Sequence, residues 1–162
     1  MTNNNELIIL QQELSTCTVH VKRIKMALYR TSNLFPLTLE NVNNISEENL
    51  GFLEILTSRF AKLQDNIGQK IFPVILKLLK EDVDNKSFLD ILNQLEKLKI
   101  IPSVKFWDEL REVRNILIHE YENNSELQVK ALNNCVEKCR ELLNYWEFLN
   151  NNFINKFLIS ER

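Results

Sequence analysis

"LIILQQELSTCTVHVKRIKMAL", residues 7–28, has the apolar spacing that decides the fold. Alternating steps of three and four residues separate its main apolar positions, which are Leu7, Leu10, Leu14, Cys17, Val21, Ile24 and Leu28. This spacing places them along one face of an α-helix and favours packing lengthwise against other helices. The sequence therefore predicts a long first helix that ends near Tyr29.

A second long helix is predicted after an irregular segment that contains Pro36. Ser46 is a suitable N-cap, and apolar residues then recur at helical spacing as far as Leu78. Pro73 falls inside this pattern and removes one backbone hydrogen bond. We therefore expect a kink in the helix just before it, near Gly68 to Phe72.

Capping residues predict three more helices in the second half of the chain. Ser87 with Asp90 resembles a capping box, and Ser103 is a plausible N-cap for the helix after it. Ser125 with Gln128 has the spacing of a second capping box. These signals complete a predicted series of four or five helices.

Composition agrees with this all-α interpretation. The 162 residues are 44% hydrophobic and 26% charged, which suits one domain with its own core, spanning residues 1–162. Only two glycines and three prolines are present, too few for a many-stranded sheet with its turns. The prediction is a single antiparallel bundle of four to five helices.

Charge and hydropathy narrow the classes of function. The formal net charge of -2 does not attract a polyanion, so any nucleic-acid site has to be local. No basic and apolar leader opens the sequence, and its most apolar stretch, "IFPVILKLL", is short. The expectation is a cytoplasmic protein without a membrane span.

The three cysteines indicate packing residues. An odd number cannot pair completely within one chain, so reduced, buried thiols are expected. Cys135 and Cys139 have the spacing of two ligands on one helix face, but no second pair or adjacent histidine completes a zinc set. No metal or other cofactor is expected. His20 beside the first apolar face is interpreted as a partly exposed packing residue.

The octet "RNILIHEY", residues 114–121, carries the most unusual pattern. The apolar face of its helix is predicted to centre on Phe106, Leu110, Val113 and Leu117, with Trp107 and Ile118 at the edge. Arg114 and Tyr121 fall between centre and edge. Because a buried, unpaired charge costs several kcal/mol, Arg114 requires an anionic partner. The candidates for this anionic group are Asp65 or Glu109 of the same chain, another protein, or a phosphate. Asp65 is the residue expected to orient Arg114.

His119 lies on a different side of the same helix. On a straight helix it is roughly 140° from Arg114, so one helix cannot direct both side chains at one atom. Either the last turn distorts, or two copies of the chain meet and each supplies part of the site. The second possibility predicts a homodimer. The helix C-terminus, with Glu120 and Glu122, is expected to raise the pKa of His119 and suit it to general acid catalysis.

Arg114, four intervening residues and His119 form an R-x4-H pattern, which resembles the signature of HEPN domains. With Tyr121 the pattern becomes R-x4-H-x-Y, and it then resembles the HepT-like branch. The resemblance extends over about residues 55 to 123. It implies a ribonuclease toxin that cleaves RNA, such as tRNA, without a metal and is paired with a nucleotidyltransferase-type (MNT) antitoxin.

The resemblance also implies roles for individual residues. Arg114 and His119 would be catalytic, with Asn115 positioning one of them, and Tyr121 would accept AMP from the antitoxin. An alternative is a non-catalytic HEPN-like binding subunit of a nucleotidyltransferase, in which Arg114 holds a nucleotide phosphate or a carboxylate. A purely structural helical bundle is the remaining alternative, and the acidic net charge favours either over a nuclease.

Overall fold

All regular secondary structure in the part of the chain that the structure describes is helical. The computed structural model describes residues 2–118 and 124–160, and no strand occurs among them. The helices are α1 (Thr2–Arg30), α2 (Glu47–Asn66), α3 (Phe72–Leu78), α4 (Phe88–Lys97), α5 (Val104–Ile118), α6 (Ser125–Leu149) and α7 (Asn155–Ser160). The predicted all-α fold is confirmed.

The first helix ends one residue beyond its predicted boundary and packs along α2. The connecting segment contains short 3-10 turns at Ser32–Leu34 and Val42–Asn44. Phe35, before Pro36, is extended as expected, with φ -98° and ψ 142°. Asn133 of α6 holds this segment, since its side chain accepts from Leu37 N at 2.7 Å and donates to Leu37 O at 3.0 Å.

A π-helical turn over Ile67–Ile71 lies in the region before Pro73 where a kink is predicted. The Phe72 N–H donates to the carbonyl of Ile67, five residues earlier. Pro73 has no N–H with which to continue the regular α-helical pattern, and it lies in the first turn of α3, where that loss is tolerated. The long predicted helix is therefore α2, the π-turn and α3 in succession.

Two of the predicted N-terminal caps are confirmed in the second half of the chain. Ser87 and Asp90 form a reciprocal capping box at the start of α4. Ser103 Oγ accepts from the Phe106 N–H at 3.0 Å at the start of α5. The box predicted from Ser125 and Gln128 is wrong.

Asn124, one residue earlier than predicted, caps α6 instead. Its Oδ1 accepts from the Leu127 N–H at 3.1 Å, so Ser125 is the first helical residue. Asparagine and serine cap helices about equally well. Spacing alone therefore could not decide between the two positions.

One cluster of buried apolar side chains, running in sequence from Leu10 to Ile154, forms the core. The face of α5 is rotated from its prediction, because Trp107 is fully buried while Phe106 is only partly buried. Trp107 packs edge-on against Phe72, with ring centroids 4.7 Å apart. The indole fills the space between α5 and α3, which a single-helix pattern could not reveal.

Cys17, Cys135 and Cys139 are all buried and free, as predicted. The Sγ atoms of Cys135 and Cys139 are 3.8 Å apart, at contact rather than bonding distance. Among the described residues, no cluster of three potential metal ligands occurs, and no helix combines the length and apolarity needed to cross a membrane.

Candidate functional site

Arg114 of α5 is bound by Asp65 of α2. Its Nε donates to Asp65 Oδ1 at 2.9 Å, and its Nη2 donates to Asp65 Oδ2 at 2.8 Å. The side chains retain 28% and 30% exposure, respectively, so solvent reaches the pair. Two parallel hydrogen bonds fix the plane of the guanidinium as well as its position. Of the partners considered from sequence, Asp65 therefore contacts Arg114, whereas Glu109 pairs with Lys105 and Lys138.

Asn115 is also in contact with Arg114. Its Oδ1 accepts from Arg114 Nη1 at 3.2 Å. A guanidinium has five N–H donors, and the described contacts with Asp65 and Asn115 use three of them. The two remaining donors lie one on each terminal nitrogen. These two donors can bind oxygen atoms of a phosphate or a carboxylate.

A polar groove of about 320 Å³ lies beside the ion pair. It is formed by α2, the π-turn, the first residue of α4, and α5. Its walls contain two guanidinium groups, one carboxylate and three amides, with the lining residues Gln64, Asp65, Gly68, Gln69, Phe88, Arg111, Arg114 and Asn115. The local charge of this lining is positive although the whole chain is acidic, so an anion is favoured here.

Arg111 lies one turn before Arg114 and stacks on Phe88. The Arg111 Cζ is 4.5 Å from the centroid of the Phe88 ring. Asp108 Oδ1 is 3.6 Å from Arg111 Nη1 and adds a weak, exposed ion pair. The cation–π contact holds the guanidinium over the Phe88 ring, and a guanidinium can also stack against a second planar group.

Gly68 allows the groove to form close to the core. A Cβ at this position would lie 3.2 Å from Trp107 Cζ2 and 3.6 Å from Phe88 Cζ. The Trp107 Nε1 is buried and has no hydrogen-bond partner in the described part of the structure. The π-turn that contains Gly68 is a feature frequently found at functional sites.

The structure brings together some of the predicted site residues. Arg114, Asn115 and Asp65 are adjacent. His119 and Tyr121 lie outside the described residues, and so do the predictions about the helix end and the His119 pKa. Sequence reasoning missed Gln64, Phe88 and Arg111. For Arg111 a signal was available, because its three-residue spacing from Arg114 places the two arginines on one helix face.

A second polar cluster lies between α1 and α2, away from the groove lining. Glu13 accepts from Asn66 Nδ2 at 3.0 Å and pairs with Lys70 Nζ at 3.2 Å. Burial, and then the adjacent Glu13 charge, raises the pKa of the Cys17 thiol to about 12. Cys17 is consequently a protonated packing residue rather than a nucleophile.

His20 is 6% exposed, which corrects the expectation of a partly exposed residue. Its Nδ1 lies 3.0 Å from Arg59 Nη1. Burial, followed by the charges of Arg59 and Lys62, lowers its pKa, and Glu13 opposes the shift. The guanidinium is a permanent donor, so Nδ1 acts as the acceptor and the imidazole is neutral.

Comparison of the chain with protein-family models, with curated proteins and with solved structures finds no match.

Proposed function

We propose that this chain is a HepT-like HEPN ribonuclease toxin, acting in the cytoplasm and neutralised by a nucleotidyltransferase-type antitoxin. The carrying observation is the bidentate Arg114–Asp65 pair, which leaves two guanidinium donors at the edge of a polar groove. The R-x4-H-x-Y pattern adds a histidine and a tyrosine immediately after the described end of α5. Together these residues supply an anion-binding group and an acid–base group.

The proposed reaction is cleavage of RNA by its own 2′-hydroxyl. The 2′-oxygen attacks the adjacent phosphorus, and the bond from phosphorus to the 5′-oxygen breaks. One proton leaves the 2′-hydroxyl and one reaches the 5′-oxygen; His119 transfers one of them, and solvent exchanges the other. The products are a 2′,3′-cyclic phosphate and a 5′-hydroxyl.

Arg114 stabilises the charge that develops on the phosphorane oxygens. Preorganised donors are effective because they need no reorientation during the reaction, and Asp65 provides this fixed orientation. Asn115 holds Nη1 from the other side. The resemblance implies that these groups act without a metal.

The proposal includes a homodimer, because Arg114 faces α2 within its own chain while His119 belongs to another side of a regular helix. A second copy would bring its His119 to the first copy's Arg114. Light scattering at high micromolar concentration should report twice the mass of the chain. A monomer at that concentration contradicts this part of the proposal.

Incubation of the purified protein with total RNA and with tRNA in EDTA tests the activity. Wild-type protein should generate fragments ending in 2′,3′-cyclic phosphate, and the His119→Ala variant should not. Absence of cleavage, or equal cleavage by both proteins, removes the nuclease proposal.

A second function is favoured by one observation, the acidic net charge of -2, which is unusual for an RNA-binding protein. A non-catalytic subunit of a nucleotidyltransferase would use the remaining donors of Arg114 to hold a nucleotide phosphate. Expression of the chain alone in bacteria distinguishes the two functions. Growth arrest that is lost in the His119→Ala variant favours the nuclease. Normal growth favours the binding subunit if a nucleotidyltransferase gene lies next to the gene for this chain.

A further inference from the structure

Gln64 is an almost completely buried amide that lines the groove. It is 3% exposed, and none of the described hydrogen bonds involves its side chain. Three other strongly buried polar side chains have partners in the described part of the structure: Glu13 with Asn66, His20 with Arg59, and Thr31 with the carbonyl of Ala27. The amide lines the open groove and is not among the buried polar atoms without a partner, so a ligand there could replace water as its hydrogen-bond partner. The groove is the direction from which a partner for Gln64 would come.

The groove also contains a platform for a flat ring. Phe88 and Arg111 both line it, and Phe88 holds the guanidinium of Arg111 by cation–π contact. Single-stranded nucleic acid is commonly bound by stacking its bases on aromatic rings and on arginine planes. Arg111 is thus suited to stack against a base on the face that Phe88 does not cover.

The remaining donors of Arg114 suit the phosphate of the same nucleotide. They lie on Nη1 and Nη2, next to the groove that contains Gln64 and Arg111. The volume of about 320 Å³ falls at the small end of ligand-binding pockets. A protein side chain as ligand is less well matched, because six of the eight lining residues have polar or charged side chains, whereas peptide anchors usually fill apolar pockets.

We infer that the groove is a subsite for one nucleotide of the RNA, with its phosphate at Arg114, its base stacked on Arg111 and the base edge read by the Gln64 amide. This inference rests on the proposed function and names the part of the substrate that the site selects. An amide both donates and accepts, and the Watson–Crick edge of each base presents both kinds of group. Gln64 therefore contributes to affinity and to the choice of base.

Calorimetric titration of the full chain carrying His119→Ala separates binding from cleavage. The probes are the four ribonucleoside 3′-monophosphates, with inorganic phosphate and the nucleosides as separate arms. At least one monophosphate should bind about tenfold more tightly than inorganic phosphate, the gain of one well-formed hydrogen bond or stacking contact. Equal affinity for phosphate and for all four monophosphates overturns the base subsite.

Gln64→Met tests the amide while keeping the length of the side chain. Affinity for the preferred monophosphate should fall about tenfold, while affinity for phosphate changes by less than about twofold. Gln94→Met is the matched control, because Gln94 donates to Glu81 Oε2 at 2.7 Å and lies outside the groove lining. Thermal unfolding provides a second measurement: Gln64→Met should not lower the midpoint, whereas Gln94→Met should.

Two outcomes separate this inference from the proposed function. If the Gln64→Met variant cleaves RNA as fast as the wild type, the subsite is refuted and the nuclease proposal is retained. Monophosphate binding that depends on Gln64, in a wild-type protein that cleaves no RNA, supports the subsite and removes the nuclease. Monophosphate affinity that is unaltered by Gln64→Met overturns the inference.

Discussion

Asp65 accepts two hydrogen bonds from Arg114, from Nε at 2.9 Å and from Nη2 at 2.8 Å, and so joins α2 to α5 at the edge of the polar groove. The pair performs a structural task and, under the proposed function, a chemical one. It spans 49 positions in sequence. Removing the charge of Asp65 without changing its shape should separate the two tasks.

Asp65→Asn is expected to lower kcat for RNA cleavage by about tenfold or more, because an amide cannot accept both hydrogen bonds and the guanidinium loses its fixed orientation. KM should not rise, since Arg114 retains its charge for the phosphate. The free energy of unfolding should fall by about 1 kcal/mol for this partly exposed pair. Steady-state cleavage assays and urea denaturation provide these values.

Asp108→Asn is the control for that substitution. Asp108 lies on the same helix as Arg114, and the side-chain contact described for it is the 3.6 Å ion pair with Arg111. It should leave cleavage near the wild-type level. If Asp65→Asn loses stability but retains wild-type kcat, the pair has a structural role alone.

Gly68→Ala should destabilise the protein even though alanine is the better helix former. The new Cβ would lie 3.2 Å from Trp107 Cζ2. Trp107 is fully buried and packs against Phe72, so the ring has little room to move. A net loss of about 1 kcal/mol is expected, since overpacking outweighs the gain in helix propensity. Thermal unfolding with far-UV circular dichroism measures the change.

Gly51→Ala is the matched comparison within α2. A Cβ there meets no atom within 4 Å, so only the propensity effect operates. This variant should gain about 0.5–1 kcal/mol. Equal shifts for the two glycines would show that contact with Trp107 does not limit position 68.

Stability should fall in mild acid because of His20. Its pKa in the folded protein is lowered by burial and by Arg59 and Lys62, with Glu13 opposing, while the ordinary value of 6.5 applies when the chain unfolds. The unfolded chain therefore binds the proton more readily, and the stabilisation present above pH 6.5 is progressively lost as the pH falls below it. Unfolding midpoints between pH 5 and pH 7.5 measure this loss.

His20→Gln should flatten that dependence, because glutamine does not titrate. His119→Ala replaces the other histidine of the chain, and this variant should retain the fall in stability with pH. If the unfolding midpoint of His20→Gln depends on pH as steeply as that of the wild type, titratable groups other than His20 cause the effect.

Local signals predicted much of the helical framework. Pro73 interrupts a helix through its own missing N–H, and Ser87 caps α4 with a residue three positions away. Such effects act within one turn, so a single sequence contains them. Asn124 and Ser125 show the limit of such local signals. Both residue types are good N-caps and the two are adjacent, so the sequence did not identify which of them caps α6.

The groove could not be predicted in the same way. Gln64 and Phe88 line the same groove only because α4 begins beside the π-turn. Trp107 lies at the edge of its helix by angle but is fully buried by its neighbours. Periodicity reports the face of one helix, whereas the residues that line a groove depend on how several helices pack.

Under the proposed function, Tyr121 is the regulatory residue. It follows Arg114 by seven residues, which on a continuing helix corresponds to the same side and roughly 10 Å along the axis. AMP on its hydroxyl would add a negative phosphate and a bulky adenosine near the place where the RNA backbone must reach Arg114. Charge and volume would then both oppose substrate binding.

Tyr121→Phe should therefore retain RNA cleavage and escape inactivation by a cognate nucleotidyltransferase with ATP. Intact-mass measurement should find one added AMP on the wild-type chain and none on the variant. The matched control is Tyr29→Phe, because Tyr29 is 79% exposed on α1 and remote in sequence from the octet; this variant should still be modified and inactivated. Addition of AMP to the Tyr121→Phe variant would identify a different acceptor and refute the assignment, whereas loss of cleavage in that variant would give Tyr121 a part in the reaction itself.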